Sequence, residues 1–79
     1  MAKIEIKVPD FAEGAKSIKL RQWFVKAGDA VKESDVVAEA ATDKIEVDIE
    51  SPADGKVESL HAEEGDRVEV GQTIAVLEG

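Results

Sequence analysis

The chain contains no cysteine, and its 79 residues include only one histidine, one tryptophan and two phenylalanines. The lack of cysteine excludes a disulfide framework, a thiolate nucleophile and a cysteine-based metal site. Apolar runs are only a few residues long, so the sequence predicts neither a membrane-spanning helix nor a secretory signal. We therefore expect one small intracellular domain, with too little volume for an elaborate catalytic pocket.

Positive charge is also scarce, and the formal net charge is -8. Proteins that bind nucleic acids or anionic membranes usually carry a surplus of lysine and arginine, so neither is an expected partner. Nine carboxylates fall between Asp29 and Asp54, where Lys32 and Lys44 are the only basic residues. We interpret these acids mainly as solvated faces of strands and turns that discourage edge pairing, and secondarily as an attraction for a basic partner.

Most of the apolar residues are aliphatic, which favours strands over helices. Two segments, Lys3–Val8 and Ile45–Glu50, alternate apolar and charged residues with the period of two that strands with one buried face show. Turn signals separate four further predicted strands, namely Ile18–Val25, Val36–Ala41, Lys56–Ala62 and Thr73–Glu78. The large side chains expected in the core are those of Trp23, Phe24 and Phe11.

The second half of the sequence repeats the first. A shift of 37 residues aligns Gly28–Val31 with Gly65–Val68, and the segment Ile4–Pro9 matches Ile45–Pro52 with a small offset. Two such units are each too small to bury an apolar face alone, so we expect them to pack about an approximate twofold axis. The predicted architecture is a two-sheet sandwich or flattened barrel.

This symmetry gives the turn Thr42-Asp43-Lys44-Ile45 a special position. It joins two predicted strands, and its counterpart under the twofold axis is the gap between the two chain ends. Lys44 is therefore expected to project from one end of the domain, with both termini together at the opposite end. Such a lysine is either an ordinary solvated turn residue or the attachment point of a swinging cofactor.

An ordered set of short motifs extends over nearly the whole chain. The set comprises Val8-Pro9-Asp10, Glu13-Gly14, Trp23-Phe24-Val25-Lys26, Gly28-Asp29 with Val31, Thr42-Asp43-Lys44, Ser51-Pro52-Ala53-Asp54-Gly55, Glu64-Gly65-Asp66 and Val70-Gly71. In these motifs the chain resembles the lipoyl domains of the acyltransferase components of 2-oxo acid dehydrogenase complexes, with biotinyl domains as cousins. The resemblance implies an all-β barrel-sandwich of two four-stranded antiparallel sheets. It also implies one monomeric, non-catalytic carrier domain over residues 1–79, in the bacterial cytoplasm or the mitochondrial matrix.

The resemblance further implies lipoic acid in amide linkage to Lys44, with Asp43 and Ile45 forming the flanking recognition turn. This swinging arm would carry acyl groups and electrons between active sites. The implied partners are a thiamine-diphosphate 2-oxo acid dehydrogenase, an acyltransferase catalytic domain, dihydrolipoyl dehydrogenase, and a lipoate ligase or lipoyl transferase. The first loop is implied to contribute to partner recognition, through Phe11, Glu13 and Gly14. Which 2-oxo acid is processed stays open.

Two other carrier-type or binding functions also stay open. Biotinyl domains usually flank their lysine with methionines, whereas Asp43 and Ile45 flank Lys44 here, which disfavours biotin. An unmodified docking or structural module would have Lys44 as an ordinary turn residue.

A small hydrolase is the third alternative, because acidic residues cluster after Lys44. Residues two apart share one strand face, so this cluster is more simply a solvated face than a metal or acid-base site. His61 is the only histidine and lacks companion ligands in the sequence. The clustered acids are Glu46, Asp48 and Glu50.

Overall fold

The computed structural model describes residues 2–10 and 18–79. Eight strands run through these residues: β1 (Lys3–Lys7), β2 (Ile18–Trp23), β3 (Ala30–Val31), β4 (Val36–Ala41), β5 (Glu46–Glu50), β6 (Gly55–Leu60), β7 (Arg67–Val68) and β8 (Thr73–Glu78). They form two four-stranded antiparallel sheets, ordered β1-β8-β6-β3 and β5-β4-β2-β7. The predicted all-β architecture of two sheets is confirmed.

The six longer strands lie where alternation and the turn signals placed them, with ends that differ by at most two residues. The two short strands, β3 and β7, were not predicted. Each has only two residues and follows a Gly-Asp turn, so neither is long enough to show a period of two. Each short strand completes an edge of its sheet, next to β6 and β2 respectively.

The twofold symmetry predicted from the repeat is present in the pairing register. Leu20 of β2 pairs with Ala40 of β4, and the residues 37 positions later, Val57 and Leu77, also pair. The outer strands follow the same rule with a different offset, because Pro9 corresponds to Pro52 and Ile6 to Ile49. Ile6 pairs with Ala75 and Ile49 with Ala38, which are again equivalent positions.

Irregular pairing explains why alternation is blurred in β4 and β8. The register between β4 and β5 shifts between Val36 and Ala38, so Val37 and Ala38 are both buried although they are neighbours in sequence. The equivalent residues of β8, Ile74 and Ala75, are buried in the same way. A bulge places two consecutive side chains against one partner residue, which a strict period of two cannot anticipate.

The core lies between the sheets and is almost wholly aliphatic. Its buried members include Ile6, Leu20, Val37, Ile49, Val57, Ile74 and Leu77. Trp23 packs against this cluster, as predicted, and its indole N–H donates to the carbonyl oxygen of Ala62 at 2.9 Å. The prediction that Phe24 is a core residue is wrong, because its side chain is 49% exposed. Phe24 follows Trp23 directly and so points to the opposite face of the chain.

The two chain ends meet where the paired strands β1 and β8 end, and there the amide of Gly79 donates to the carbonyl oxygen of Ala2 at 3.0 Å. The molecule is elongated, with principal dimensions of 36, 19 and 17 Å. In the described part of the chain, no helix is long and apolar enough to cross a membrane.

Candidate functional site

Lys44 lies at the tip of the hairpin between β4 and β5. The hairpin closes through the Thr42 amide, which donates to the carbonyl oxygen of Ile45 at 2.8 Å. The Thr42 hydroxyl oxygen accepts hydrogen bonds from the amides of Lys44 and Ile45, both at 3.2 Å. Serine and threonine hydroxyls commonly hold tight turns by such local bonds to the backbone. A single side chain therefore contacts both amides at the tip.

The side chains of Asp43, Lys44 and Ile45 are all exposed, and that of Ile45 is 46% accessible. Within residues 2–10 and 18–79, neither the Lys44 ammonium nor the Asp43 carboxylate forms an ion pair or a side-chain hydrogen bond. The amine is thus oriented by the backbone of the turn and is accessible to a large modifying enzyme.

One ion pair ties the beginning of β5 to the rest of its sheet. Arg21, the bulged residue of β2, reaches across β4, and its Nη1 lies 2.8 Å from Oε1 of Glu46. Its Nε lies 3.7 Å from Oε1 of Glu39 on β4. Among the described strands, β5 is an edge strand that bonds to β4 alone, so this guanidinium links three strands just below the Lys44 turn.

The twofold counterpart of this ion pair lies beside the chain ends and has the opposite polarity. There Lys3 of β1 takes the position of Glu46, Glu58 of β6 takes that of Arg21, and Lys3 Nζ lies 2.8 Å from Glu58 Oε1. The hydrogen bond and charge of Glu58 raise the pKa of Lys3 above its usual 10.5. Both halves of the repeat therefore connect an edge strand to a bulge by an ion pair.

Two shallow depressions flank the hairpin, and Lys44 and Ile45 line one of them. The residues common to both are Arg21, Ala41, Thr42 and Asp43. Both are open grooves at the surface. Such grooves suit recognition by another protein and do not suit a site that encloses a substrate.

The carboxylates proposed for a hydrolase do not form a site. The side chains of Glu46, Asp48 and Glu50 all lie on the exposed face of β5, as the alternation predicted. No cluster of three or more potential metal ligands occurs among residues 2–10 and 18–79. His61 is exposed, and its Nε2 lies 2.9 Å from the Ser59 hydroxyl in a solvent-exposed contact.

The structure brings the turn residues Asp43, Lys44 and Ile45 together at one tip. The proposed recognition residues of the first loop, Phe11, Glu13 and Gly14, lie outside the described residues. Sequence reasoning named Thr42 only as part of the lysine turn, without a role of its own, and did not single out Arg21. A threonine two residues before an exposed turn lysine is a signal for a local hydroxyl bond, but the contact of Arg21 depends on a bulge that the pattern does not show.

The family model described as "Biotin-requiring enzyme" matches residues 4–77. Over 73 residues the chain is 44% identical to the lipoamide acyltransferase component of the branched-chain alpha-keto acid dehydrogenase complex of Pseudomonas putida. Over 74 residues it is 47% identical to the dihydrolipoyllysine-residue acetyltransferase component of the pyruvate dehydrogenase complex of Bacillus subtilis. These matches cover 92% and 94% of the chain but only 17% of either relative.

Among solved structures, the chain is similar to the lipoyl domain of the 2-oxoglutarate dehydrogenase complex from Azotobacter vinelandii. The TM-score is 0.77 and the sequence identity 32%, and the match covers 96% of each chain. The likeness therefore extends through both sheets and the hairpin between β4 and β5. The chain belongs to the biotin and lipoyl attachment family, and within it is a lipoyl carrier domain of the kind found in the acyltransferase components of 2-oxo acid dehydrogenase complexes.

Proposed function

We propose that Lys44 is the residue that carries the lipoyl group, in amide linkage through Nζ. The observation that carries the proposal is the position of this amine, exposed at the tip of a hairpin whose backbone is held by local hydrogen bonds. Acylation removes the lysine charge and would change the formal net charge from -8 to -9. Because the side chain is solvated, a long arm attached there requires no rearrangement of the core.

The bound group would supply a redox-active disulfide that accepts and releases acyl groups. The chain has no cysteine and so cannot supply this chemistry itself. The contribution of Lys44 is reach, and the contribution of the scaffold is to hold the turn away from the core. We propose that residues 1–79 act as one domain, tethered within a longer acyltransferase chain. Tethering makes each visit to an active site effectively intramolecular, at a local concentration set by the linker.

The partners we propose are a thiamine-diphosphate 2-oxo acid dehydrogenase, an acyltransferase catalytic domain, dihydrolipoyl dehydrogenase and a lipoate-attaching enzyme, in the bacterial cytoplasm or the mitochondrial matrix. The relatives supporting this are named for complexes that act on branched-chain 2-oxo acids and pyruvate, and the structural relative for one that acts on 2-oxoglutarate. We propose the first loop, with Phe11, Glu13 and Gly14, as part of the surface that selects among such dehydrogenases.

Modification by purified ligases tests the proposal. The chain is incubated with lipoate ligase, lipoic acid and ATP, and in parallel with biotin ligase, biotin and ATP, followed by intact-mass measurement and peptide mapping. We expect the mass of one lipoyl group on the peptide that contains Lys44 and no gain with biotin. Biotin addition at Lys44 would replace the lipoyl assignment, and no gain in either reaction would favour an unmodified docking module.

A further inference from the structure

The Thr42 hydroxyl has a position that the common fold does not require. The closing bond of the hairpin, from the Thr42 amide to the Ile45 carbonyl oxygen, has a twofold counterpart in the bond from Gly79 to Ala2. The hydroxyl contacts have none, because the residue equivalent to Thr42 is Gly79. The backbone bond is thus a property of the scaffold in both halves, whereas the hydroxyl bonds exist only at the lysine turn.

These contacts act directly on the backbone from which Lys44 projects. Each amide lies 3.2 Å from the hydroxyl oxygen, so one acceptor is shared by two donors. Thr42 is half-buried, whereas Asp43 and Lys44 are exposed. Because a β-branched side chain has few accessible rotamers, its oxygen provides a fixed point against which the exposed tip is ordered.

We propose that Thr42 is a positioning residue for the modification of Lys44. Its hydroxyl holds the Lys44 and Ile45 amides, and so fixes the direction in which the lysine side chain leaves the turn before a lipoate-attaching enzyme binds. This inference rests on the proposed function of Lys44. Pre-ordering the turn lowers the conformational entropy that the enzyme must remove on binding, so loss of the hydroxyl should act mainly on KM.

The test compares Thr42→Val, which keeps the shape but removes the hydroxyl, with Thr42→Ser, which restores a hydroxyl. Thr73→Val is the matched control, since Thr73 is also half-buried and its hydroxyl donates to Glu5 at 3.1 Å, far along the chain from the lysine turn. We expect Thr42→Val to lower kcat/KM for lipoylation about tenfold through KM, on the scale of one lost hydrogen bond. Thr42→Ser should recover most of this loss, and Thr73→Val should be modified like the wild type.

A second readout is independent of the ligase. Amide hydrogen exchange measured by NMR should be several-fold faster at Lys44 and Ile45 in Thr42→Val, with strand amides of β4 unchanged. Wild-type rates of both lipoylation and exchange in Thr42→Val would overturn the inference, as would an equal loss of lipoylation in Thr73→Val. If the wild type itself is not lipoylated at Lys44, the proposed function fails and this role for Thr42 fails with it. In that case, faster exchange would show only that the hydroxyl orders the turn.

Discussion

At the scale of single residues, Lys44 differs from the other candidates because of what surrounds it. It is exposed on a turn ordered by backbone and hydroxyl bonds. In contrast, Glu46, Asp48 and Glu50 lie on the solvated face of β5, and His61 is exposed just after β6. An attachment residue needs accessibility and a fixed origin, and does not need an enclosed pocket.

Replacing Lys44 with arginine distinguishes a role in attachment from a role in stability. We expect Lys44→Arg to keep the thermal unfolding midpoint of the wild type, because the side chain is solvated, and to show no gain in mass with lipoate ligase. A guanidinium stays protonated and is not acylated under these conditions. Circular dichroism and intact mass are the measurements. Unfolding of the variant would mean that Lys44 is structural instead, and modification at a different lysine would contradict its role as the attachment residue.

Ser34 is the only non-glycine residue with a positive φ in the described part of the chain, at 74°. Its twofold counterpart is Gly71, with φ of 85°, and a Cβ placed there would meet no atom of residues 2–10 and 18–79 within 4 Å. In both halves the residue donates its amide to the equivalent carbonyl oxygen, Ser51 for Ser34 and Val8 for Gly71. The same turn is thus built once with glycine and once with serine.

This pair predicts unequal effects of substitution. We expect Gly71→Ala to lower the free energy of unfolding by about 1–2 kcal/mol, because a left-handed backbone is costly once a Cβ is present. Ser34→Gly should change it by less than about 1 kcal/mol, since relief of strain is offset by the greater freedom of glycine in the unfolded chain. Urea denaturation with an unchanged m value measures both. A larger loss for Ser34→Gly than for Gly71→Ala would contradict this explanation.

At the scale of strands, the two ion pairs of opposite polarity show that the repeat maintains an interaction while exchanging its charges. Arg21 with Glu46, and Glu58 with Lys3, each join an edge strand to a bulge. These pairs are exposed, so each is expected to contribute little to stability and to weaken as salt screens the charges.

Exchanging the charges near the lysine turn tests this equivalence. Arg21→Glu alone would place three carboxylates together, with Glu39 and Glu46, and should lower the unfolding midpoint at low salt. Adding Glu46→Lys recreates the polarity of the Lys3–Glu58 pair and should restore most of the loss. The coupling between positions 21 and 46 is expected to be below about 1 kcal/mol. Thermal unfolding at low and high salt provides the values, and a double variant no more stable than Arg21→Glu would refute the equivalence.

Strands with strict alternation were predictable from the sequence, and elements that depend on register were not. Lys3–Lys7 and Glu46–Glu50 follow a period of two, and the offset of 37 residues correctly related the inner strands. Two-residue strands such as Ala30–Val31 and the bulge at Arg21 depend on pairing with distant segments. The exposure of Phe24 was missed because composition identifies large apolar residues but not the face on which each lies.

At the scale of the whole molecule, the twofold relation assigns equivalent positions to the lysine turn and to the meeting point of the chain ends. The hydrogen bond from Thr42 to Ile45 that closes the turn is equivalent, under this relation, to the bond from Gly79 to Ala2. A domain tethered at one such position and modified at the other can present its arm to several active sites without moving its linker into them. The prediction that these positions lie at opposite ends of the molecule follows from this relation.

Distance measurement between spin labels tests that prediction. Because the chain has no cysteine, labels attach only at introduced sites, here Ala2→Cys with Lys44→Cys. We expect a separation comparable with the 36 Å dimension of the molecule, and clearly above the short dimensions of 19 and 17 Å. Ala2→Cys with Lys56→Cys is the control for proximity, since Lys56 pairs with Glu78 at the chain ends. A short distance from Ala2 to Lys44 would contradict the arrangement.

The most direct test of the central claim is the mass of this protein isolated from the cells that make it, followed by peptide sequencing across the hairpin. The predicted result is a single lipoyl group, located on Lys44 and on no other lysine. An unmodified Lys44 in cells that lipoylate other proteins, or a lipoyl group on a different lysine, would contradict it.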